Sequence, residues 1–389
     1  MSKRILRIAL LIESSRNYGR GVLQGIANYA HVNGPWSCYT QERELHSSIP
    51  DWLRSWKGNG IIARIENRRV ARELLKSKCP VVDVLGNDQF AGIPGFDTDA
   101  EAVARLAADF FLRAGFRHLA FCGYAGIPFS ERRAVAFVKY LEAQGCEVRI
   151  FNSHLPGNSP SHIQAIEQSG MAAERDIALW LRKQPRPLAV FACNDIRAQQ
   201  VLNACREYGI RVPEEVAVMG VDNDSVLCGL CEPPLSSIQP DAEKLGYEAA
   251  ALLDKMMRGR HASSQMVQIP PVRIIERAST DTVAIEDPIT VRAMRFIRDN
   301  VSQGIAAKDV IAHTQRSRTD LETRFRLAFK SSLRREILRC RLERVSALLQ
   351  QTNLNLAEIA RRTGFSGAAH LCRLFQKHYR QSPTKYRKT

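Results

Sequence analysis

Five clusters of polar side chains, each beside a short apolar run, carry most of the chemistry in this 389-residue chain. Ser14, Ser15, Arg16 and Tyr18 follow the first run, and Asp97 and Asp99 precede an alanine-rich segment. Phe129, Glu131, Arg132 and Arg133 follow Phe121–Gly123; Asn194, Asp195 and Arg197 follow Leu188–Cys193; Asp222, Asn223 and Asp224 follow Val216–Val221. Carboxylates, amides and guanidinia make paired hydrogen bonds, so such a set can grip the vicinal hydroxyls of a polyhydroxylated ligand. Asp and Asn behind a strand also cap the helix that follows, and Asp99, Asn194 and Asp222 each fit that role when taken singly. The recurrence of five clusters at one end of an inferred sheet favours a pocket.

A different chemistry sits in the last quarter. Pro288–Thr389 carries 22 Lys and Arg against 7 Asp and Glu, whereas the preceding 287 residues carry 34 against 33. A near-neutral body suits a small ligand, and a strongly basic module suits a polyanion.

The elements that must position these groups alternate. Strands are expected at Ile5–Ile12, Gly60–Ala63, Pro80–Val84, His118–Gly123, Glu147–Phe151, Leu188–Ala192 and Val216–Val221. Helices are expected between them at Gly21–Asn33, Ala100–Ala114, Arg132–Gln144, Glu174–Lys183, Arg197–Tyr208 and Ala242–Arg258. Apolar strands alternating with amphipathic helices imply a parallel sheet covered on both faces, with ligands beyond the carboxyl ends of its strands. The polar stretch closed by Pro288 divides the chain into a body over 1–280, a linker over 281–288 and a helical module over 289–389.

Several functions find no support. Gly19, Gly21 and Gly25 approach a dinucleotide-binding turn, but the third glycine is one residue late and no acidic partner follows at the required spacing. No GxSxG, HExxH or P-loop sequence occurs. Cys228 and Cys231 form the one Cys-x-x-Cys, with no second pair at ligand spacing, so neither metal nor cofactor is expected. The start of the chain reads as a strand and not a signal peptide, and no apolar run approaches the ~20 residues that span a bilayer. A cytoplasmic protein without membrane attachment is expected.

The basic module repeats one pattern. Ala307–His313, a turn at Thr314–Arg316 and Ser317–Phe329 form one helix-turn-helix; Leu356–Arg362, a turn at Thr363–Phe365 and Ser366–His378 form the second. Ser317 with Asp320 and Asn355 with Glu358 have capping-box spacing. Leu321, Phe325 and Phe329, and Leu371, Phe375 and Tyr379, form apolar stripes for two cores. The longer helices begin 49 residues apart, joined by a helix over Arg335–Gln350. Such a helix spans roughly 24 Å, which would set the two probes about 34 Å apart, one turn of DNA.

These motifs carry two resemblances. Asp97–Asp99, Arg133–Phe137, Cys193–Asp195 and Gly220–Asn223 resemble the LacI/periplasmic-binding type of sugar-sensing domain over Ile5–Thr280. That resemblance implies a bilobed α/β fold, a chain crossing the hinge three times, and Asp99, Arg133, Asn194, Asp195 and Asp222 lining the cleft, to which the polar clusters add Ser14, Tyr18, Arg197 and Asn223. The basic module, ending in Phe375–Arg387, is similar to the AraC-type tandem DNA-binding domain, although Gln315, Lys330 and Arg380 stand where that family usually has glycine. Its base-facing positions fall on Arg318, Thr319, Glu322 and Thr323, and on Ala368, Ala369, Cys372 and Arg373. Arginine can pair with guanine, glutamate can accept from cytosine and alanine can touch a thymine methyl. Arg324, Arg334, Lys377, Lys385 and Arg387 are expected at phosphates or in solvent.

The fusion, with Ile269–Asp281, resembles bacterial regulators of D-xylose operons across the chain. It implies a homodimeric activator, D-xylose as effector, double-stranded operator DNA and RNA polymerase as partners, and no catalysis. Two alternatives stay open on the residues alone: a doubly wound enzyme with a basic appendage, and a sequence-independent nucleic-acid binder with steep salt dependence.

Overall fold

The computed structural model describes residues 5–43, 49–84, 92–153, 170–260, 265–281, 287–329, 331–352 and 354–387. Its contacts divide the chain into Met1–Asp281 and Thr282–Thr389.

Among the described residues, the first unit contains two six-stranded sheets. The first comprises β1 (Leu6–Leu11), β2 (Trp36–Thr40), β3 (Gly60–Ala63), β4 (Val81–Val84), β5 (Gly95–Thr98) and β11 (Met266–Ile269), all parallel, in the order β2-β1-β3-β4-β5-β11. The second comprises β6 (His118–Tyr124), β7 (Val148–Ser153), β8 (Leu188–Ala192), β9 (Val216–Val221), β10 (Ser236–Gln239) and β12 (Arg273–Ile275), in the order β7-β6-β8-β9-β10-β12. One winding order thus occurs twice, once per lobe. Its direction switches between β1 and β3 and between β6 and β8, which is where such folds open a crevice for ligand. Ile8–Ile12 and Leu188–Ala192 are buried at every position, as strands covered on both faces must be.

Strand β12 is the exception, running antiparallel to β10. It arrives from the other lobe over the three residues that follow β11. The chain passes between lobes at Thr98–Ala100, Pro240–Asp241 and Pro270–Val272. Hydrogen bonds tie these crossings: Asp99 N–H donates to Ile269 O at 2.9 Å, and Val272 N–H to Gln239 O at 2.8 Å.

Four expected helices of the first unit begin earlier than predicted, at Asn17, Pro128, Gly170 and Asp195, and two of these shifts bear on the cleft. The first spans Asn17–Asn33, so Tyr18 lies in its opening turn, and another spans Pro128–Glu142, which places Arg132 and Arg133 on a helix. Gly19, Gly21 and Gly25 therefore lie within a helix and not in a phosphate-binding turn. Gly21 and Gly25 permit close approach to helix Ala242–Met257, where a Cβ on Gly25 would lie 1.9 Å from Glu243 O and one on Gly246 2.0 Å from Val22 O, whereas a Cβ on Gly19 would lie 1.9 Å from Glu13 O.

The second unit is helical: Pro288–Asn300, Ala307–Thr314, Arg318–Phe329, Leu333–Gln351, Leu356–Arg362, Ala368–Tyr379 and Pro383–Arg387. Its caps follow from sequence, with Ser317 Oγ accepting from Asp320 N–H at 3.2 Å and Asn355 Oδ1 from Glu358 N–H at 2.9 Å. Two cores form. Leu321, Phe325, Leu333, Ile337 and Cys340 belong to the first, and Leu342, Val345, Leu349, Leu371 and Phe375 to the second. Helix Leu333–Gln351 is therefore shared, its first half facing one core and its second half the other. Full burial of Phe325 and Phe375 contributes about 3 kcal/mol each.

Candidate functional site

The floor of the cleft on the first lobe is built from residues directly behind its strands. Glu13 follows β1, 4% exposed, and its Oε1 accepts from Arg64, which follows β3, at 3.0 Å; Glu13 Oε2 has no hydrogen-bond partner among the described residues. Asp83 on β4 accepts from Ile65 N–H at 2.9 Å, and burial pushes its carboxyl up to about 8. Tyr18 is buried, its hydroxyl 2.5 Å from Thr98 Oγ1 at the end of β5, and burial raises its pKa so that the phenol stays neutral. Asp97, Asp222 and Arg133 all act on that phenol's ionisation, so groups from both lobes lie within electrostatic range of one hydroxyl.

Two contacts cross between lobes. Arg132 on helix Pro128–Glu142 meets Asp97 at 2.7 Å, and Asn17 Nδ2 donates to Asn223 O at 3.3 Å. Burial raises the Asp97 pKa, and the Arg132 guanidinium is the main opposing influence. Asn223 is further fixed by Ser237 Oγ, which accepts from its N–H at 3.0 Å, and by Arg277, which donates to its Oδ1 at 2.8 Å. Asp222 and Asn223 both take positive φ, at 112° and 47°, which turns the chain sharply behind β9.

The remaining expected cleft residues serve different tasks. Ser14 Oγ accepts from Arg43 N–H at 3.1 Å and so holds its own loop. Asp99 and Asn194 cap the helices Ala100–Arg113 and Asp195–Glu207. Arg133 is buried and donates to Cys193 O at 2.5 Å, which ties its helix to the end of β8. Asp195 is an internal brace: it accepts from Ser237 Oγ at 2.5 Å and Asp224 N–H at 2.9 Å, and burial, then the charge of Asp222, raises its pKa. A Cβ on Gly220 would lie 2.3 Å from Asp195 Oδ1, so only glycine lets that brace form. Arg197 is fully buried, donating to Gln200 Oε1 and Gly123 O, each at 2.9 Å, and to Ser153 Oγ, with its guanidinium carbon 4.0 Å from the Tyr124 ring centroid. Its fork is turned into the lobe.

Glu13, Arg64 and Asp83 were not anticipated. The same rule that found the other clusters, a charged residue at the end of a buried strand, applies to each of them.

In the second unit, Arg318, Thr319 and Thr323 are exposed on helix Arg318–Phe329, and Ala369 and Arg373 on helix Ala368–Tyr379. No carboxylate among the described residues pairs with Arg318 or Arg373. Glu322 differs. It is half-buried, and its Oε2 accepts from Leu333 N–H at 3.4 Å, so it caps the next helix. Ala368 is half-buried, and Cys372 packs against the second core. Arg324 is held by Asp287 at 2.6 Å and Asp320 at 2.8 Å, and Arg387 donates to Leu354 O, whereas Arg334, Lys377 and Lys385 are exposed. Gln315 and Arg380 adopt left-handed conformations, at φ 53° and 59°, where glycine is the easier residue.

Three family descriptions match along the chain: an N-terminal domain described for XylR over residues 7–94, a periplasmic binding protein-like domain over 108–280 and a helix-turn-helix domain over 310–389. With this architecture they define a transcription regulator that joins a periplasmic-binding-type sensor domain to a helical DNA-binding domain. Over its whole length the chain is similar to the xylose operon regulatory proteins of Haemophilus influenzae, 28% identical across 100% of this chain and 99% of that one, and of Escherichia coli, 28% identical across 98% and 96%. Among solved structures, the xylose-binding transcription activator XylR matches with TM-score 0.78 and 27% identity, covering 100% of this chain and 99% of that one. The cellobiose complex of the regulator CelR, 21% identical with TM-score 0.55, shares the sensor fold over 70% of this chain and 84% of that one. No helix among the described residues is long and apolar enough to cross a membrane.

Proposed function

We propose that the chain is a cytoplasmic, homodimeric activator, without enzymatic activity, that binds D-xylose in the cleft and specific operator DNA through both helix-turn-helix units. RNA polymerase is then its partner at the promoter. The observation that carries the reading is the convergence of Tyr18, Asp97, Arg132, Arg133 and Asp222 from two lobes on one crevice, in a chain similar end to end to xylose operon regulatory proteins. In the cleft, Arg64, Arg132 and Arg133 are offset by Glu13, Asp97 and Asp222, a balance that suits a neutral sugar over a sugar phosphate or acid.

Sugar hydroxyls between Glu13 and Arg64 on one lobe and Arg133, Asn194 and Asp222 on the other would add to the contacts that hold the lobes together. Closure then shifts the balance between dimer arrangements of unequal operator affinity. On the DNA side, Arg318 and Arg373 donate to guanine, and Thr319, Thr323 and Ala369 meet neighbouring bases. Calorimetric titration with D-xylose, L-arabinose, D-ribose and D-glucose, followed by operator binding with and without each sugar, tests both halves. A tight ligand at 100 times its Kd should stabilise the protein by about 2.7 kcal/mol. Absence of D-xylose binding, or binding that leaves operator affinity unchanged, would falsify the reading.

A further inference from the structure

Helix Leu333–Gln351 is the covalent link between the two helix-turn-helix units, and a helix alone lets its two ends bend and roll about its axis. The fold adds a second connection away from that axis. Gly304, at φ 75°, ends the turn that leads into the first unit, and Gly364, at φ 70°, lies in the turn of the second. The two backbones touch: a Cβ on Gly364 would lie 2.5 Å from Gly304 Cα, 2.7 Å from Gly304 N and 3.1 Å from Val301 O. Only a residue without a side chain permits that approach at Gly364, and its left-handed backbone favours the same residue.

Arg341 closes the gap between this junction and the helix. From the middle of Leu333–Gln351 it donates to Ile305 O at 2.6 Å, in the first unit. Its guanidinium carbon lies 5.9 Å from the centroid of Phe365, which follows Gly364 in the second. Ile305 and Phe365 are themselves buried in the two separate cores. Arg341 Nε is buried with no hydrogen-bond partner among the described residues, so the side chain gives up hydration to hold this place. Two bodies joined at one point can swing, whereas joined at a helix and at an off-axis contact they keep one mutual orientation.

We infer that the Gly304–Gly364 junction, with Arg341 as its positioning residue, locks the two recognition helices into one geometry and thereby sets which spacing of two half-motifs the protein accepts. The inference rests on the proposed reading of DNA by both helices. One inserted base pair turns the second half-motif by about 34° and moves it by about 3.4 Å, which a locked pair of probes cannot follow.

The experiment is selection from a random-sequence duplex library by the full-length protein with D-xylose present, followed by sequencing, for wild type, Arg341→Met and Gly364→Ala. Arg341→Met keeps the apolar stem while removing the hydrogen bond to Ile305 O, and it carries the test if Gly364→Ala does not fold. Wild type is expected to enrich a two-part motif at one spacing, with at least about tenfold preference over one base pair more or fewer. The variants should recover the same half-motifs with that preference reduced to about threefold or less. A change that merely weakened folding would lower binding at every spacing alike. Wild type accepting several spacings, or Arg341→Met remaining as strict as wild type, overturns the lock. No enriched motif from any protein instead removes the proposed DNA reading itself.

Discussion

Arg197 in the sensor and Arg373 in the DNA-binding unit do opposite work. Arg197 follows a cleft-edge strand, yet its guanidinium is fully enclosed and committed to Gln200, Gly123 O, Ser153 and the Tyr124 ring. Arg373 projects from an amphipathic helix, exposed and without a carboxylate partner among the described residues. In the closed lobe an unpaired charge is costly, so arginine there is used to join loops and strand ends. On the open helix water satisfies the charge, so the group stays available for a base or a phosphate.

Substitutions can break this contrast, beginning with the largest effect. Arg197→Met should destabilise the sensor by about 3 kcal/mol, because Gly123 O and Gln200 Oε1 lose their donor inside a lobe that excludes water. Urea denaturation with and without sugar should show the loss in both. Arg373→Ala should leave that denaturation midpoint in place and weaken operator binding by about 1–3 kcal/mol, read as a roughly 5- to 150-fold rise in Kd. If Arg373→Ala unfolds the protein, or Arg197→Met does not, the division of labour fails.

Asp83 sharpens the comparison through pH. Its folded pKa, about 8, lies above the ordinary 3.8, so between those values the folded state holds a proton that the unfolded chain has released. Stability from this group is full below about pH 4 and falls by about 1.4 kcal/mol per unit as pH rises towards 8. Asp83→Asn should flatten that slope in denaturation midpoints taken from pH 5 to 8.5. The smallest effect is expected at the surface. Gln315→Gly should raise stability by about 1 kcal/mol by relieving a left-handed non-glycine backbone, with little change in DNA affinity.

Most of the strands that sequence made legible are buried on both faces, such as Ile8–Leu11 and Val216–Val221, because a continuous apolar run has few other uses. Of the edge strands β7 was expected but β2, β11 and β12 were not: β2 is mostly exposed, and β11 and β12 are four and three residues long, as short as the internal strands β5 and β10 that were also missed. The starts at Asn17 and Pro128 were each displaced by four residues where no capping side chain marks them, since neither Arg16 nor Ile127 offers a cap hydrogen bond, whereas the capped starts at Asp195 and Leu333 moved by two. In the cleft, residue type identified polar neighbourhoods but not assignments. Asn194 and Arg197 are three residues apart on one helical turn, and one caps it while the other is enclosed. The third of the three expected crossings comes after β11: Val267–Ile269 still belongs to that strand of the first lobe, and Pro270 and Pro271 begin the passage to the second.

The order of residues alone determined the alternation of strand and helix, the pairing of a neutral α/β body with a basic helical module and the two repeated helix-turn-helix patterns. Each follows from local periodicity, capping and charge, which need no knowledge of distant contacts. Tertiary structure decided which charges are enclosed, that Asp97 meets Arg132 between lobes, that Glu322 caps the following helix and that Gly304 touches Gly364. Those outcomes depend on what lies opposite a side chain, and residues far apart in sequence become neighbours only when the sheets and helices have packed.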